Sequence, residues 1–235
     1  LPGGNNGALA ETFRDCEAIT SLDLSNWQDT DKINRSNNAF LRMKNCELID
    51  LTGWDFSNFT SCKAMFSTIG TLTTNGCVVK MPNADLTGAN GANAVDSIFT
   101  SCKLAEGTDI DNWTLPTAAQ SWYAFMYGHK GNWSGFSDFS FLQTWSNKKP
   151  TTIFRAFRAN TSTSTIMTSF NITGFDFSAC LSFREGWMYN AGLTSITALN
   201  TIVSTSVTGA NNSMFSGCKS LGNLDDIPTA FWEGW

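Results

Sequence analysis

Eight residues of this chain share a local pattern that would place polar side chains together on one surface. Each stands between mostly apolar residues in a short alternating stretch, as Asp23 does in the sequence LDL, and such alternation is typical of a strand with one buried face. The middle side chain then points outward. If successive stretches stack, these residues form a ladder across one sheet face: Asp23, Asp50, Lys80, Asp109, Ser140, Asn171, Thr197 and Asp225.

The chemistry of this ladder has three open interpretations. The residues could form a solvated polar face, a surface that binds a ligand or partner, or a site for a cation such as Ca²⁺, which prefers oxygen ligands. Neighbouring carboxylates at strand spacing repel each other, which raises their pKa values. Lys80 stands between Asp50 and Asp109 and relieves that repulsion without a metal. We therefore keep the ladder as a candidate recognition surface and assign no metal ligand and no cofactor.

A second candidate site is an aromatic-rich insertion between residues 122 and 145. Loops carried on a rigid scaffold are frequent binding sites. We expect exposed rings in this insertion, and its candidate binding residues are Trp122, Tyr123, Tyr127, His129, Trp133 and Trp145. An alternative interpretation is that these rings fill a thickened core. Three other tryptophans recur at a fixed offset, which places them mainly in the core or at the bend after a strand: Trp27, Trp54 and Trp113.

The sequence offers little for catalysis. It contains no GxSxG, HExxH, GxGxxG or P-loop motif, and His129 is its single histidine. Its seven cysteines include no CxxC pair, and we interpret them as small buried hydrophobic residues. We expect a protein that is not an enzyme. A glycan-cleaving enzyme that uses Asp109 or His129 is the remote alternative.

The elements that must position these residues follow from an internal repeat. Residues 13–27, 40–54 and 99–113 read FRDCEAITSLDLSNW, FLRMKNCELIDLTGW and FTSCKLAEGTDIDNW, so an aromatic anchor precedes a soft apolar residue, an aliphatic residue and a Trp at fixed offsets. Such self-similarity marks stacked units that bury their apolar faces against each other. The predicted anchors are Phe13, Phe40, Phe66, Phe99, Phe125, Phe157, Met188 and Phe215.

This repeat predicts a leucine-rich-repeat-like solenoid with a parallel β-sheet face and short helical or irregular return segments. Eight anchors predict about eight coils in a single domain over residues 1–235, with 1–12 as an N-terminal cap or partial coil and 215–235 as the terminal coil. In the fifth coil the predicted strand contains Phe136, Phe139 and Phe141. Longer intervals between anchors mark inserted loops.

Several stretches resemble a known family. AMF, FSGCKSL, LDLSNW and GWDFSNF are similar to repeats of the BspA-like leucine-rich-repeat surface proteins, including the Mycoplasma-type lipoprotein repeat. The likeness runs from Phe13 onward and is best in the first, second, fourth and eighth repeats. Such repeats occur in bacterial and phage surface proteins, so the resemblance implies extracellular recognition. It implies no catalytic residues.

Composition limits the choice of partners. The chain has 235 residues, a net charge of -5 and a pI near 4.8, so a nucleic-acid partner is not expected. No apolar run has the length of a membrane span. We expect an extracellular, cell-surface or virion-surface module for adhesion or receptor binding, whose partner is a cell-surface protein or glycan. The alternative is a structural assembly protein, such as a capsid decoration or envelope-layer component, that binds neighbouring chains.

Overall fold

The structure, a computed structural model, describes residues 8–131, 133–202 and 212–222. Its elements are short, because each coil turns back after a few residues. In chain order they are β1 (Ser21–Asp23), a 3₁₀ helix (Thr30–Lys32), β2 (Leu48–Asp50), β3 (Val78–Lys80), β4 (Lys103–Leu104), β5 (Gln120–Ser121), β6 (Lys130–Gly131), α1 (Gly135–Asp138), α2 (Phe141–Thr144), β7 (Pro150–Thr152), β8 (Ser169–Asn171), β9 (Ser195–Thr197) and a second 3₁₀ helix (Leu199–Thr201).

The strands pair in parallel between coils. β1, β2 and β3 form a three-stranded sheet, while β4 pairs with β6, β5 with β7 and β8 with β9. The chain thus winds as a β-solenoid of about 7 turns with little helix. The prediction of a repeat solenoid with a parallel sheet face is confirmed. Within the described ranges, no helix is long and apolar enough to cross a membrane.

The most regular contact between coils is made by the turn around each anchor. The backbone N–H of Phe13 donates to the C=O of Ala39 in the next coil at 2.9 Å, and an equivalent bond recurs at each following step. The N–H groups two residues before and two residues after the anchor also donate to the next coil, as Asp15 does to Leu41 at 2.9 Å. Three backbone hydrogen bonds therefore join each coil to the next along the whole series of anchors.

This turn imposes an unusual backbone conformation. The residue two positions before each anchor has a positive φ, from 50° at Ala124 to 65° at Ser213, although none of these residues is glycine. A left-handed conformation costs an ordinary residue on the order of 1 kcal/mol or more. The bonds between coils and the burial of the anchor offset that cost. The conformation follows from the fold, since residues as different as Glu11 and Ala64 adopt it.

The backbone hydrogen bonds correct two predicted anchors. In the fifth coil the N–H that donates to the sixth coil belongs to Met126, whereas the N–H of Phe125 bonds within its own turn. In the seventh coil the N–H that donates to the eighth belongs to Trp187. The predicted anchors Phe125 and Met188 are therefore each wrong by one residue. In both coils two adjacent residues are large and apolar, and only the backbone bonding distinguishes them.

The anchors form an aromatic column inside the solenoid. The rings of Phe13, Phe40, Phe66 and Phe99 stack nearly parallel, with centroids 5.6, 5.5 and 5.5 Å apart. The predicted superposition of these four anchors is confirmed. Phe125 meets Phe99 edge-on at 6.2 Å, in keeping with its displacement from the anchor position. The stack resumes at 5.8 and 5.7 Å through Phe157, Trp187 and Phe215.

Tryptophans stack in two pairs between coils, Trp27 on Trp54 at 5.8 Å and Trp113 on Trp145 at 4.3 Å. The indole N–H groups of three of them donate to backbone carbonyls of a preceding coil, in the pairs Trp54 to Leu24 (2.7 Å), Trp113 to Met81 (2.6 Å) and Trp145 to Ile110 (2.6 Å). Each bond satisfies the one polar atom of the side chain, which allows the ring to be buried. Trp27, in the first coil, is 36% exposed.

The fifth coil departs from the predicted strand. Phe136, Phe139 and Phe141 are buried as predicted, but Phe136 lies in α1, Phe141 lies in α2, and Phe139 stands between the two helices with a φ of 53°. Phe136 and Phe139 are three residues apart, a spacing that suits one helical turn better than a strand. Parts of the predicted cap and terminal coil, residues 1–7 and 223–235, lie outside the described residues.

Candidate functional site

The structure brings four predicted ladder residues into one column. Asp23 of β1 is in register with Asp50 of β2, Asp50 with Lys80 of β3, and a parallel bridge aligns Lys80 with Asp109. Lys80 Nζ lies 3.2 Å from Asp50 Oδ2, as expected of a cation between carboxylates. Asp23 and Asp109 are exposed, whereas Asp50 is recessed. The column is thus a surface feature of the first four coils.

The carboxylates of this column also have a structural role. Asp23 Oδ1 accepts the backbone N–H of Ser25, and Asp50 Oδ1 accepts that of Thr52, each at 3.0 Å. These bonds close the turn that follows each strand. The same bond, from the N–H two residues further on, recurs at Asp55, Asp85, Asp138, Asn171 and Asp176. The recurring D-x-S/T sequence is the signal that would have revealed this role.

The pKa values of these aspartates differ from the expectation of mutual repulsion. Hydrogen bonds from the hydroxyl and the N–H of Ser25 lower the pKa of Asp23. Burial opposes ionisation of Asp50, but hydrogen bonds from Thr52 and the nearby charge of Lys80 outweigh it and lower its pKa. The prediction of raised pKa values is wrong for both residues, because local donors act more strongly than the neighbouring carboxylate.

The other ladder residues do not continue the column. Ser140 directly precedes α2 and lies in no strand, so its assignment to the sheet face is wrong. Asn171 pairs with Thr197 in a separate two-stranded sheet. Asp225 lies outside the described residues. The column stops after Asp109 because the fifth coil places helices where a strand was predicted.

Most of the aromatic insertion lies inside the protein. Four of its six candidate residues are buried: Trp122, His129, Trp133 and Trp145. Trp145 stacks on Trp113 at 4.3 Å, and Trp133 lies 5.0 Å from Phe141. The prediction of exposed rings is wrong for these four, and the alternative of a thickened core describes them. Tyr123 is exposed and Tyr127 is partly exposed.

His129 occupies a core position. It stands three residues after Met126, where other coils place Cys16, Met43 or Cys102. Its Nδ1 lies 3.0 Å from the carbonyl oxygen of Met126, and Nε2 has no hydrogen-bond partner among the described residues. Phe136 packs against the ring at 5.0 Å. Burial lowers the pKa of His129 to about 4, so the imidazole is neutral in the folded protein at pH 7.

The two tyrosines of the insertion belong to a surface cluster that was not predicted from the sequence. This arginine–aromatic cluster lies on the anchor turns of the fifth, sixth and seventh coils. Its members are Tyr123, Tyr127, Phe154, Arg155, Arg158, Arg184, Glu185 and Tyr189. Their residue types suit binding, since Arg and aromatic side chains are enriched where proteins bind partners.

The guanidinium groups of the cluster lie over its rings. Arg158 is 5.4 Å from the ring centroid of Tyr127 and 5.0 Å from that of Tyr189, so it bridges two aromatic residues two coils apart. Phe154 has two guanidinium groups over its ring, that of Arg155 at 4.8 Å and that of Arg184 at 5.2 Å. Such cation–π contacts hold long side chains in place and reduce their freedom before a ligand binds.

One carboxylate joins the three arginines. Glu185 Oε2 accepts hydrogen bonds from Arg155 Nε at 2.9 Å and from Arg158, and its Oε1 lies 3.5 Å from Arg184 Nε. Burial opposes ionisation of Glu185, but the bond from Arg155 and the three positive charges outweigh it and lower its pKa. Three arginines and one ionised glutamate give the cluster a net charge of about +2 on a chain of net charge -5.

A sequence signal for this cluster existed. The stretch FRAFRAN and the stretch FREGW supply three of the six arginines of the chain, each close to an anchor. Residues at equal offsets from successive anchors lie side by side. Arg155 and Glu185 each stand two residues before the anchor of their coil, and Phe154 and Arg184 each stand three residues before it, which brings each arginine beside its partner. The shift of one residue in the predicted fifth and seventh anchors concealed this alignment.

The described residues contain no group of three or more His, Cys, Asp or Glu side chains placed to hold a metal ion. The described cysteines form no disulfide. Comparisons with protein-family models, curated proteins and solved structures find no match to this chain.

Proposed function

We propose that this chain is a non-enzymatic recognition module that binds a partner on a cell or virion surface, in adhesion or receptor binding. The observation that carries the proposal is the arginine–aromatic cluster. It combines side chains that contribute most to binding energy with a backbone held by hydrogen bonds to both neighbouring coils. The extracellular setting rests on the resemblance of the repeats to surface-protein repeats.

The remaining polar features fit this proposal. The carboxylates of Asp23 and Asp50 close turns, and His129 packs against the rings of Phe136 and Phe139. The column is a second candidate contact surface, on a different part of the coil from the cluster. Recognition needs only fixed side chains on a rigid scaffold, and both surfaces have that character.

The proposal can be tested by cell binding. The fluorescently labelled protein is incubated with a panel of bacterial and animal cells, and saturable binding is measured by flow cytometry. Saturable binding to at least one cell type, competed by unlabelled protein, is the expected result. Binding that rises linearly with concentration on every cell type would count against recognition.

A structural assembly role is a second candidate, favoured by the exposure of Trp27. Its side chain is 36% exposed in the first coil, its ring lies 5.8 Å from that of Trp54, and a neighbouring chain would bury it. Sedimentation velocity distinguishes the two candidates. Concentration-dependent assembly that Trp27→Ser abolishes supports a structural part, and a monomer at all concentrations supports the recognition module.

A further inference from the structure

We propose that the arginine–aromatic cluster binds an acidic segment of a partner polypeptide, with its carboxylates paired to Arg155 and Arg184. This inference rests on the proposed recognition function and specifies its partner. It is carried by three features of the cluster: unused hydrogen-bond donors, a local excess of positive charge, and aromatic faces that are already covered.

The donors come first. A guanidinium carries five N–H groups, so three arginines offer more donors than the single carboxylate of Glu185 can accept. Arg158 Nε is buried and has no hydrogen-bond partner among the described residues. The side chains of Arg155 and Arg184 are 35% and 45% exposed, so a ligand can reach them. Guanidinium forks pair with carboxylates through two parallel bonds, which makes carboxylates a fitting ligand.

Charge selects the sign of the partner. The cluster has about two positive charges in excess, whereas arginines on the same face of the first two coils are matched by acids. Arg14 pairs with Glu11 at 2.8 Å, and Arg42 pairs with Asp15 at 2.5 Å. The cluster is therefore an attractive surface for an anion on a protein whose overall charge repels one.

The ring faces favour a polypeptide over an acidic glycan. A sugar ring stacks on an open aromatic face, but guanidinium groups lie over the rings of Tyr127, Phe154 and Tyr189. Tyr123 is exposed at its edge of the cluster and meets Phe154 edge-on at 5.4 Å. Aromatic and arginine side chains with a partly exposed apolar edge are typical of protein-binding surfaces.

The test measures binding of short poly-L-glutamate to the intact chain by fluorescence anisotropy at low ionic strength. The double variant Arg155→Gln/Arg184→Gln is compared with Arg14→Gln/Arg42→Gln. The control arginines lie on the same face, their side chains are similarly exposed at 37% and 40%, and the change of net charge is identical. We expect the cluster variant to lose about tenfold or more in affinity and the control variant to keep it within about twofold.

Two further arms set the ligand class. Arg155→Lys/Arg184→Lys keeps the charge but removes the planar forks, and weaker binding than wild type is expected. Hyaluronate offers the same carboxylate on a sugar scaffold, and we expect it to bind more weakly than poly-L-glutamate. Equal loss in the cluster and control variants, absence of poly-L-glutamate binding, or tighter binding of hyaluronate would each overturn the inference.

Two readouts distinguish loss of folding from loss of binding. Circular dichroism checks that each variant is folded. If the double variant unfolds, Arg184→Gln alone replaces it, because the Arg184 side chain is the most exposed of the three. Cell binding tests the proposed function separately. If cell binding is saturable and survives in the cluster variant, recognition stands and the assigned site is wrong; if no cell is bound, the recognition function itself fails.

Discussion

At the scale of single residues, His129 shows how the repeat determines the environment of a side chain. The four preceding coils place Cys16, Met43, Ile69 and Cys102 at this position, and the imidazole is buried as the last three of these side chains are. The sequence predicts a loop residue here, because His129 stands between Gly128 and Lys130 in the aromatic-rich insertion. Measured from Met126, it falls in the core column.

This burial predicts a dependence of stability on acid. The unfolded chain binds a proton at His129 below a pKa of about 6.5, whereas the folded protein binds it only near pH 4. Stability from the neutral ring is therefore complete above pH 6.5 and is lost as the pH falls toward 4, by about 3 kcal/mol in all. Urea unfolding of wild type and His129→Met is compared across this range. The free energy of unfolding of wild type should fall relative to that of the variant as the pH decreases, because the variant has no imidazole to protonate. Equal pH profiles would contradict the burial.

The turn-closing role of Asp50 gives a second prediction. Asp50→Asn keeps the oxygen that accepts the N–H of Thr52 and loses only the half-exposed ion pair with Lys80, so it should cost less than about 1 kcal/mol. Asp50→Ala also leaves the N–H without its acceptor and should cost about 1 kcal/mol more. Chemical denaturation measures both. Equal costs would show that the hydrogen bond has no role in closing the turn.

At the scale of elements, the anchor turn is the unit that repeats, and the strands are secondary to it. The spacing of Phe, aliphatic and Trp residues was sufficient to predict stacked parallel coils, because a fixed offset can be buried at a fixed place. The sequence pattern could not predict the left-handed residues before each anchor, since unrelated side chains occupy them. It was also ambiguous around Phe139, because Phe136 and Phe139 have the spacing of a helical turn whereas Phe139 and Phe141 have the spacing of a strand.

The anchor column predicts a steep cost for removing one ring. Phe66 lies between Phe40 and Phe99 at 5.5 Å from each, so Phe66→Ala should lower the free energy of unfolding by about 3–5 kcal/mol. Phe66→Leu should cost less, since it leaves a smaller cavity. Leu72→Ala in the same coil is the control, because Leu72 is 64% exposed and should change stability by less than about 0.5 kcal/mol. Similar costs for Phe66→Ala and Leu72→Ala would contradict the column.

At the scale of the whole molecule, stacking makes each coil depend on its neighbours. Five cysteines are buried in the described coils: Cys46, Cys62, Cys77, Cys102 and Cys180. Burial raises the pKa of Cys62 to about 12, which further suppresses the reactive thiolate. These thiols lie within one continuous apolar core. Because each coil of a solenoid packs on its neighbours, the adjacent coils shield the thiols from solvent.

This continuity predicts the reactivity of the thiols. A water-soluble disulfide reagent should modify the buried cysteines only as fast as the chain unfolds, and denaturant should expose them together. Mass spectrometry of partially modified samples measures the distribution. Fast, independent modification of Cys62 or Cys102 in the native protein would show that the coils open separately.

The most direct test of the coil stacking is amide hydrogen exchange measured residue by residue by NMR. We predict slow exchange for the anchor amides of Phe40, Phe66, Phe99 and Met126, because each donates a hydrogen bond to the next coil. The free energy of opening at these amides should be close to the free energy of global unfolding. Fast exchange at these amides, at the rate of exposed loop residues, would contradict the stacking of the coils and with it the surface on which the cluster is built.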